Sequence, residues 1–336
     1  MRGGAVARRV LVTGGFGFIG SHLVERLLLD RDVYVHVVDN LTSSPIDVET
    51  FVRQLPEPKR LTHDLCSVEN FCDRGTRTTF DEIYHLASVV GPVGVLAHAG
   101  RIAGMMVNDT ARVATLASAC RARLVDVSTS EVYGGGRDGY CSERDFKVIQ
   151  PKVTVRLEYA VGKLAAEIAL VNMTAVSTLS ASIVRPFNVA GPRQSGKGGF
   201  VLPRFITQAM AGQPLTVYGD GGMIRAFTHV SDIADGLLAV MERGRSGEAY
   251  NLGNPANKTT ILGLAQRVVR LTGSRSDVIF IDPKTLFGPL FEEANDKYPD
   301  ADRSINELGW VPKHDLDQII LDTAEYMRAE AAPSRR

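Results

Sequence analysis

Apolar and polar residues follow two different repeats along this chain, and the repeats alternate. Short, continuous runs of β-branched and other apolar residues occupy segments 9–13, 33–39, 82–88, 123–128 and 182–189. Longer segments with apolar residues at helical spacing lie between several of these runs, for example at 101–120. Runs that are apolar throughout are typical of parallel strands covered by helices on both faces. The pattern therefore predicts an α/β fold with a doubly wound parallel sheet and a smaller, mixed α/β lobe.

A glycine-rich turn follows the first apolar run and leads directly into a helical pattern. Gly14, Gly17 and Gly20 are spaced as in a dinucleotide-binding loop, with Phe18 and Ile19 between the last two. In that motif the glycines permit a tight turn, close approach of the backbone to a diphosphate, and close packing of helix on strand. Free N–H groups at the start of the helix then hold the anion. The sequence therefore predicts a Rossmann-like fold that binds a dinucleotide.

Acidic residues at the ends of the next two strands indicate which dinucleotide binds. Asp39 lies about 20 residues beyond the glycines, where a carboxylate accepts hydrogen bonds from the adenosine ribose and repels a 2′-phosphate. This favours NAD over NADP. Asp64 ends the expected third strand and is a candidate to bind the adenine amino group. The other predicted cofactor contacts are Asn40, Leu65 and, at the end of the fourth strand, Leu86.

Tyr159 and Lys163 are the leading candidates for catalysis. They lie four residues apart in a helical pattern, so their side chains share one face of the helix. An ammonium group a few ångströms from a phenol favours the phenolate. We therefore predict that Lys163 lowers the pKa of Tyr159 and makes the tyrosine a general base.

The fifth apolar run delivers Thr129, Ser130 and Glu131 to the same region. Ligands of a doubly wound sheet bind at the carboxyl ends of its strands, and these three residues directly follow such an end. A hydroxyl beside the phenolate can share the proton of a substrate hydroxyl, and a carboxylate can act as acid, base or water-positioning group. All three residues are therefore predicted to be catalytic.

Composition narrows the class of partner. The 336 residues include 38 basic and 38 acidic side chains, and this zero net charge predicts binding to neither nucleic acid nor anionic membrane. No apolar run approaches the roughly 20 residues of a membrane span. The basic stretch 1–9 is not followed by the apolar core of a signal peptide. Four cysteines without metal-ligand spacing predict reduced thiols and no metal site. A cytoplasmic location is the expectation.

The chain is predicted to divide into two lobes. Residues 1–189 with about 226–255 would form the NAD-binding lobe, and about 190–225 with 256–336 the substrate lobe. A guanidinium group binds phosphate oxygens in pairs, so arginines near the second lobe are candidates to clamp a diphosphate. These candidates are Arg185, Arg193, Arg204 and Arg225.

Taken together, the motifs resemble the extended short-chain dehydrogenases/reductases that act on nucleotide sugars, the NAD-dependent epimerase/dehydratase family. The resemblance is carried by residues 13–22, Asp39, the Ser-Thr-Ser-Glu-Val-Tyr-Gly run at 128–134, the pair Tyr159 and Lys163, and the Arg-Pro-Phe-Asn-Val-Ala-Gly-Pro-Arg run at 185–193. It covers nearly the whole chain and its motifs occur in the family's order.

The resemblance implies roles for the matching residues. Thr129, Tyr159 and Lys163 would oxidise the sugar at carbon 4 with a tightly held NAD, and Tyr159 and Lys163 would contact that cofactor. A nucleotide sugar, expected to be UDP-linked, would be the substrate. The residues that would bind its diphosphate part are Asn188, Arg193, Arg204, Arg225 and Lys297. Family members commonly form homodimers through two helices beside the active site, here about 98–120 and 155–172.

Three reactions start from the resulting 4-keto sugar. Return of hydride to the other face gives a 4-epimerase, loss of water across carbons 5 and 6 gives a 4,6-dehydratase, and loss of carbon dioxide from a uronic acid gives a decarboxylase. The dehydratases usually place Asp-Glu after the catalytic threonine, where this chain has Ser130-Glu131, and simple 4-epimerases generally lack the glutamate. The segment 129–134 resembles UDP-glucuronate decarboxylases, which predicts conversion of UDP-glucuronate to a UDP-4-keto-pentose or UDP-xylose.

The alternative is a 4-epimerase acting on UDP-glucose or UDP-glucuronate. Two features depart from the decarboxylases: the segment 89–95 replaces a proline-rich loop, and Lys297 stands where they have an arginine before a Pro-Asp pair. A non-catalytic, NAD-binding sensor is a third hypothesis from a different class. The intact Thr129, Tyr159 and Lys163 argue against it, because a sensor does not need these oxidation residues.

Overall fold

The computed structural model describes residues 7–76, 78–134, 139–147, 149, 151–196, 199–287 and 296–331. The strands in this part of the chain are β1 (Arg8–Thr13), β2 (Val33–Asp39), β3 (Leu61–Leu65), β4 (Glu82–His85), β5 (Arg123–Val127), β6 (Ser180–Pro186), β7 (Val189–Ala190), β8 (Leu215–Tyr218), β9 (Ile224–Ala226), β10 (Thr228–His229), β11 (Ala249–Leu252), β12 (Lys258–Thr260) and β13 (Val278–Ile281).

The helices in the same residues are α1 (Phe18–Leu28), α2 (Val48–Gln54), α3 (Val68–Asp73), α4 (Gly91–Ala97), α5 (Ile102–Cys120), α6 (Val155–Val176), α7 (Val201–Met210), α8 (Val230–Arg243), α9 (Ile261–Thr272), α10 (Lys284–Phe287), α11 (Asp302–Leu308) and α12 (Leu316–Ala331). The short helices α2 and α4 were not predicted from the sequence. A helix of seven residues is too short to show a clear apolar repeat.

The central sheet has seven strands in the order β11-β6-β5-β4-β1-β2-β3. All of its neighbouring strands are parallel, which confirms the predicted doubly wound sheet. The chain leaves β1 in one direction to form β2 and β3, then returns to the other side of β1 to form β4, β5 and β6. Ligands bind at such a point of reversal, outside the carboxyl ends of the strands. In this protein the glycine turn after β1 and the segment after β5 lie at that edge.

Helices cover both faces of the sheet. On one face α1, α2 and α8 contribute buried residues such as Leu23, Phe51 and Leu237 to a core that includes Val12 of β1. On the other face α3, α5 and α6 pack on Leu11 and its neighbours. Burial on both faces explains why these strands are apolar throughout and do not alternate.

A separate apolar cluster lies in the later part of the chain. Helices α7, α9 and α12 enclose β8 through buried residues that include Phe205, Leu264, Ile320 and Val217. Strand β8 pairs with β13, and β9 pairs with β12. The lobe boundaries proposed from the sequence stay a prediction, and their outermost residues lie outside the described part of the chain.

Helix α6 carries Tyr159 and Lys163 and packs closely against α5. It begins at Thr154, whose side chain accepts a hydrogen bond from the backbone N–H of Leu157. Gly162 makes the close packing possible, because a Cβ atom there would lie 2.6 Å from the Cα of Ala103 on α5. Among the described residues, α6 is the one helix long and apolar enough to cross a membrane by length and composition alone.

The contact at Gly162 generates a prediction about stability. Gly162→Ala should lower the free energy of unfolding by about 1–3 kcal/mol, because the added methyl group overpacks the contact between α5 and α6. The matched control is Gly104→Ala in α5, where an added Cβ meets no atom within 4 Å. That change should raise the free energy by up to about 1 kcal/mol, because alanine favours the helix. Denaturant unfolding measures both values, and equal effects at the two positions would contradict this account.

Candidate active site

The glycine turn is packed so tightly that side chains are excluded. Gly14 adopts a φ of 71°, and a Cβ atom there would lie 2.7 Å from the backbone nitrogen of Ala87 after β4. A Cβ on Gly20 would lie 2.0 Å from the carbonyl oxygen of Gly14. Gly17 precedes α1 and offers no capping side chain, so the first N–H groups of the helix are left for an anion. The turn therefore fits the diphosphate of a dinucleotide.

Asp39 lies directly beside this turn. Its two carboxylate oxygens accept hydrogen bonds from the backbone N–H groups of Phe16 (3.0 Å) and Leu41 (2.8 Å). Burial raises the pKa of Asp39, and these backbone donors oppose that effect. The neighbouring Asn40 is exposed and accepts from the N–H of Thr42. A carboxylate fixed at the end of β2 fits the ribose of NAD.

The other predicted cofactor residues lie at the same edge of the sheet. Leu86 follows β4 and donates its N–H to the carbonyl of Thr13 (3.0 Å). Burial alone would raise the pKa of Asp64, but an ion pair with Arg74 (2.6 Å) and a hydrogen bond with His36 (3.0 Å) lower it. Leu65 is exposed at the end of β3. The proposed contact of Asp64 with adenine stays a prediction.

Tyr159 forms a hydrogen bond with Thr129, so α6 and the segment after β5 meet as predicted. The ring packs among Val95, Ile102 and Met106 of α4 and α5, and the residue is 8% exposed. Burial raises the pKa of Tyr159 to about 12, and the bond to Thr129 only partly opposes it. The phenol is therefore protonated at neutral pH in this structure.

The predicted effect of Lys163 on that phenol is wrong for this structure. The Lys163 ammonium donates to the carbonyl oxygen of Val127 at the end of β5 (2.8 Å). Burial lowers the pKa of Lys163, and Asp126 and Glu167 oppose this effect. Lys163 and Tyr159 share a helix face. The Lys163 ammonium is held by the carbonyl of Val127 and attracted by the carboxylates of Asp126 and Glu167, so it does not lower the pKa of Tyr159. Helical spacing alone did not reveal that competition.

Glu131 lies at the centre of a cluster of charged side chains. Arg156, in the first turn of α6, binds its carboxylate with both Nε (2.8 Å) and Nη2 (3.0 Å). Lys297 forms a second, short ion pair with the same carboxylate and is only 1% exposed. Burial alone would raise the pKa of Glu131, but Lys297 and Arg156 hold it well below its usual range. Glu131 is therefore ionised at neutral pH.

Lys297 is a lysine with an unusually low pKa. Burial lowers this pKa to about 8, although Glu131 opposes the effect. Arg156 and Arg225 repel the ammonium and lower its pKa further. The backbones of Arg225 and Lys297 pair as an isolated β-bridge, and the N–H of Lys297 donates to the carbonyl of Ile224 (3.2 Å). Two predicted substrate-binding residues therefore lie together beside Glu131.

Two of the remaining predicted substrate residues contact strands β9 and β8. Asn188, between β6 and β7, has a φ of 37° and donates its side-chain amide to the carbonyl of Ala226 on β9 (3.1 Å). Arg204 on α7 stacks on the ring of Tyr218 at 3.9 Å and donates to the carbonyl of Thr216 (3.1 Å). Asn188 therefore lies against β9, which carries Arg225, and Arg204 lies against β8.

Two arginines do not have the predicted role. Arg193 binds Glu25 of α1 with both Nη atoms (2.9 and 2.6 Å). Arg185 is buried and binds Glu167 of α6 with two nitrogens (3.0 and 2.6 Å). In each case a carboxylate from another element already occupies the guanidinium, so neither arginine is placed to clamp a diphosphate. Conversely, sequence reasoning assigned no role to Arg156, although its position three residues before Tyr159 places it on the same helix face.

The fold and this site define a Rossmann-fold protein with a dinucleotide turn and a buried tyrosine whose hydroxyl meets that of a half-buried threonine. A family model described as the NAD dependent epimerase/dehydratase family matches residues 10–253. The chain belongs to this family. Membership confirms both the resemblance stated from the sequence and NAD as the cofactor.

Curated relatives and solved structures agree with this membership. UDP-glucuronic acid decarboxylase 1 of Xenopus tropicalis is 33% identical over 324 residues, which cover 96% of this chain and 73% of the relative. UDP-N-acetyl-alpha-D-glucosaminuronate decarboxylase of Bacillus cytotoxicus is 31% identical over 323 residues, which cover 96% of this chain and 98% of the relative. A UDP-glucose 4-epimerase from Thermotoga maritima shares the fold with a TM-score of 0.83 at 24% identity, over 96% of this chain and 100% of that one.

The position of Asp39 predicts the selectivity for the dinucleotide. Asp39→Asn should weaken NAD binding on the order of 10-fold, because a charged hydrogen-bond acceptor is lost. The preference for NAD over NADP should also narrow, since the repulsion of a 2′-phosphate is removed. Titration calorimetry with both dinucleotides measures these changes. Asp47→Asn is the matched control, because this exposed residue caps α2 and asparagine caps equally well. Unchanged NAD affinity in Asp39→Asn would refute the assignment.

Proposed function

We propose that this protein catalyses the NAD-dependent decarboxylation of UDP-glucuronate, through a 4-keto sugar, to a UDP-4-keto-pentose or UDP-xylose. The observation that carries the proposal is the ionised Glu131, held between Arg156 and Lys297. It lies on the turn that begins with Thr129, the hydrogen-bond partner of Tyr159. The two relatives, both named as decarboxylases, support the same reaction class.

The first step in this proposal oxidises carbon 4 of the sugar. Tyr159 takes the proton of the 4-hydroxyl group, and Thr129 shares it through the hydrogen bond between the two side chains. We assign Lys163, whose ammonium donates to the carbonyl of Val127, to hold the nicotinamide ribose. NAD, when bound, supplies a positively charged nicotinamide that accepts hydride from carbon 4 and can return it. A positive charge near the buried phenol lowers its pKa, and this is what a tyrosine base needs here.

The second step breaks the bond between carbons 5 and 6. Oxidation makes the uronate carboxylate β to the new ketone, so the electron pair of the broken bond moves to the ketone oxygen while carbon dioxide leaves. The resulting enolate then takes a proton at carbon 5. Lys297 is the proposed donor, because its pKa of about 8 lets it release a proton near neutral pH. Glu131 is ionised and has no proton to give, so its proposed role is to hold Lys297 in place.

Substrate binding follows from the same geometry. Arg225 lies beside Lys297, and Asn188 ties its own loop to β9, which carries Arg225. Arg204 stacks on Tyr218 in the part of the chain that contains the separate apolar cluster. We assign these residues to the nucleotide diphosphate, which needs cationic and amide donors.

A panel of nucleotide sugars tests the proposed reaction. Purified protein should convert UDP-glucuronate to a UDP-pentose with release of carbon dioxide. Mass spectrometry and proton NMR identify the product. Tyr159→Phe should lower turnover on the order of 10³-fold, because the proton acceptor is lost. UDP-N-acetylglucosaminuronate tests the substrate named for the Bacillus cytotoxicus relative. Unchanged mass with formation of UDP-galacturonate would establish a 4-epimerase and refute decarboxylation. A protein that keeps its biological function in Tyr159→Phe would be a non-catalytic sensor.

The pKa of Lys297 predicts how the rate depends on pH. If its ammonium donates the proton, kcat should fall about tenfold per pH unit above the pKa of about 8, because the lysine loses its proton there. Lys297→Arg should lower kcat and remove this alkaline limb, since a guanidinium keeps its proton throughout and so cannot donate it to carbon 5. Lys297→Met should be slow at every pH. Tyr159 is common to all three proteins, so the ratio of their rates isolates Lys297. The same alkaline limb in wild type and Lys297→Arg would contradict the assignment.

We also propose a homodimer formed through α5 and α6. The outer face of these helices exposes apolar side chains, including Met105, Ile168 (55% exposed) and Val171. Light scattering should give twice the mass of the chain, and Ile168→Glu should reduce it to that of a monomer. A monomeric wild-type protein would rule this interface out.

A further inference from the structure

Behind the active site, a buried ion pair joins α6 to β6. Arg185 donates through Nε (3.0 Å) and Nη2 (2.6 Å) to the two carboxylate oxygens of Glu167, and both side chains are buried. The hydroxyl of Ser128 donates to the same carboxylate. Burying two charges is costly unless hydrogen bonds compensate, and here each nitrogen of the Arg185 guanidinium and each carboxylate oxygen of Glu167 has at least one hydrogen-bond partner. Apolar side chains could join α6 to β6 without the cost of burying charge, so the buried ion pair indicates a functional role.

The pair holds both ends of the turn that carries Glu131. Ser128 directly precedes Thr129, so its bond to Glu167 fixes the start of the turn. At the other end, the Tyr133 hydroxyl accepts a hydrogen bond from Nη1 of Arg185 (2.9 Å). The segment between these two anchors includes Thr129, Ser130 and Glu131. Thr129 caps a single turn of 3-10 helix that begins at Ser130.

The same network reaches the segment that carries Lys297. The Tyr133 hydroxyl donates to the side-chain oxygen of Asn251 on β11 (2.7 Å). The side-chain amide of Asn251 donates to the carbonyls of Cys141 (2.9 Å) and Asp300 (3.1 Å). The N–H of Cys141 in turn donates to the carbonyl of Tyr298, the residue after Lys297 (2.9 Å). These four hydrogen bonds, from Tyr133 to Tyr298, have ordinary lengths.

We infer that Glu167, Arg185, Tyr133 and Asn251 are positioning residues that set the geometry between Glu131 and Lys297. One buried network anchors the turn on one side of that ion pair and the lysine segment on the other. The inference rests on the proposed function, because it assigns Glu131 and Lys297 to the step that follows oxidation of the sugar. Thr129 lies between the two anchors and Glu167 lies on α6 with Tyr159, so the network supports the oxidation step as well as the step that follows it.

Tyr133→Phe is the sharpest test, since it removes one oxygen atom and leaves the ion pair intact. The ring keeps its contact with Phe187, while the bonds to Arg185 and Asn251 are lost. We expect kcat for carbon dioxide release to fall on the order of 10- to 100-fold, because small displacements of reacting groups have effects of this size. KM should change by less than about threefold, since the diphosphate contacts lie elsewhere.

Tyr250→Phe is the matched control. Tyr250 is fully buried on β11, and its hydroxyl accepts from the N–H of Arg245 (2.9 Å) and donates to Glu307 (3.1 Å). Tyr250→Phe therefore also removes one accepted and one donated hydrogen bond, but outside the turn that carries Glu131. Its kcat should stay within about twofold of wild type even if its melting temperature falls as much as that of Tyr133→Phe. Ser128→Ala breaks the network at its other end, at Glu167, and should also lower kcat. This variant tests the inference if Tyr133→Phe does not fold.

The two possible failures are distinguishable. If wild-type protein releases no carbon dioxide from any uronate, the proposed function fails, and the same variants are then compared in whichever reaction the substrate panel reveals. Wild-type kcat in both Tyr133→Phe and Ser128→Ala would overturn the inference. Equal losses of kcat in Tyr133→Phe and Tyr250→Phe would also overturn it, because they would indicate general destabilisation.

Discussion

The ion pair between Glu131 and Lys297 is the interaction on which this site depends. Its partners are 166 residues apart in sequence, so the pair exists only when the turn after β5 and the segment before Pro299 are both in place. Each charge alone would be costly to bury, and here the carboxylate of Glu131 is paired with two cations, Lys297 and Arg156. The pair keeps Glu131 ionised, while burial keeps Lys297 close to losing its proton.

The sheet makes this arrangement possible. Parallel strands deliver the glycine turn, Asp39, and the segment from Ser128 to their carboxyl ends at one edge, and the reversal between β1 and β4 opens a crevice there. Helix α6 then crosses this edge and brings Tyr159 against Thr129. The absence of a side chain at Gly162 lets α5 approach closely enough to hold that helix in position. Tight packing of glycines thus serves both the cofactor turn and the catalytic helix.

Features encoded by local patterns were predictable from the sequence. The alternation of apolar runs and helical segments predicted the sheet, and the spacing of Gly14, Gly17 and Gly20 predicted a turn that the structure shows to exclude side chains. Asp39 was foreseen for the same reason, since its distance from the glycines along the chain is fixed by one strand and one helix. Membership in the family confirmed NAD.

Features that depend on partners from separate elements were not predictable. Arg193 binds Glu25 and Arg185 binds Glu167, and no local pattern indicates which carboxylate an arginine will meet. Lys163 shares a helix face with Tyr159, but the carbonyl of Val127 competes for its ammonium. The spacing of two residues shows what they can reach, whereas the choice among several partners is made by tertiary packing.

A double-mutant cycle on Glu131→Gln and Lys297→Met tests the central claim most directly, because it measures the coupling between the two side chains in kcat/KM. If the pair acts as one unit, the double variant should be scarcely slower than the slower single variant, which gives a coupling energy above about 1 kcal/mol. If the two single effects instead add to within about 0.5 kcal/mol, Glu131 and Lys297 act independently and the account is contradicted.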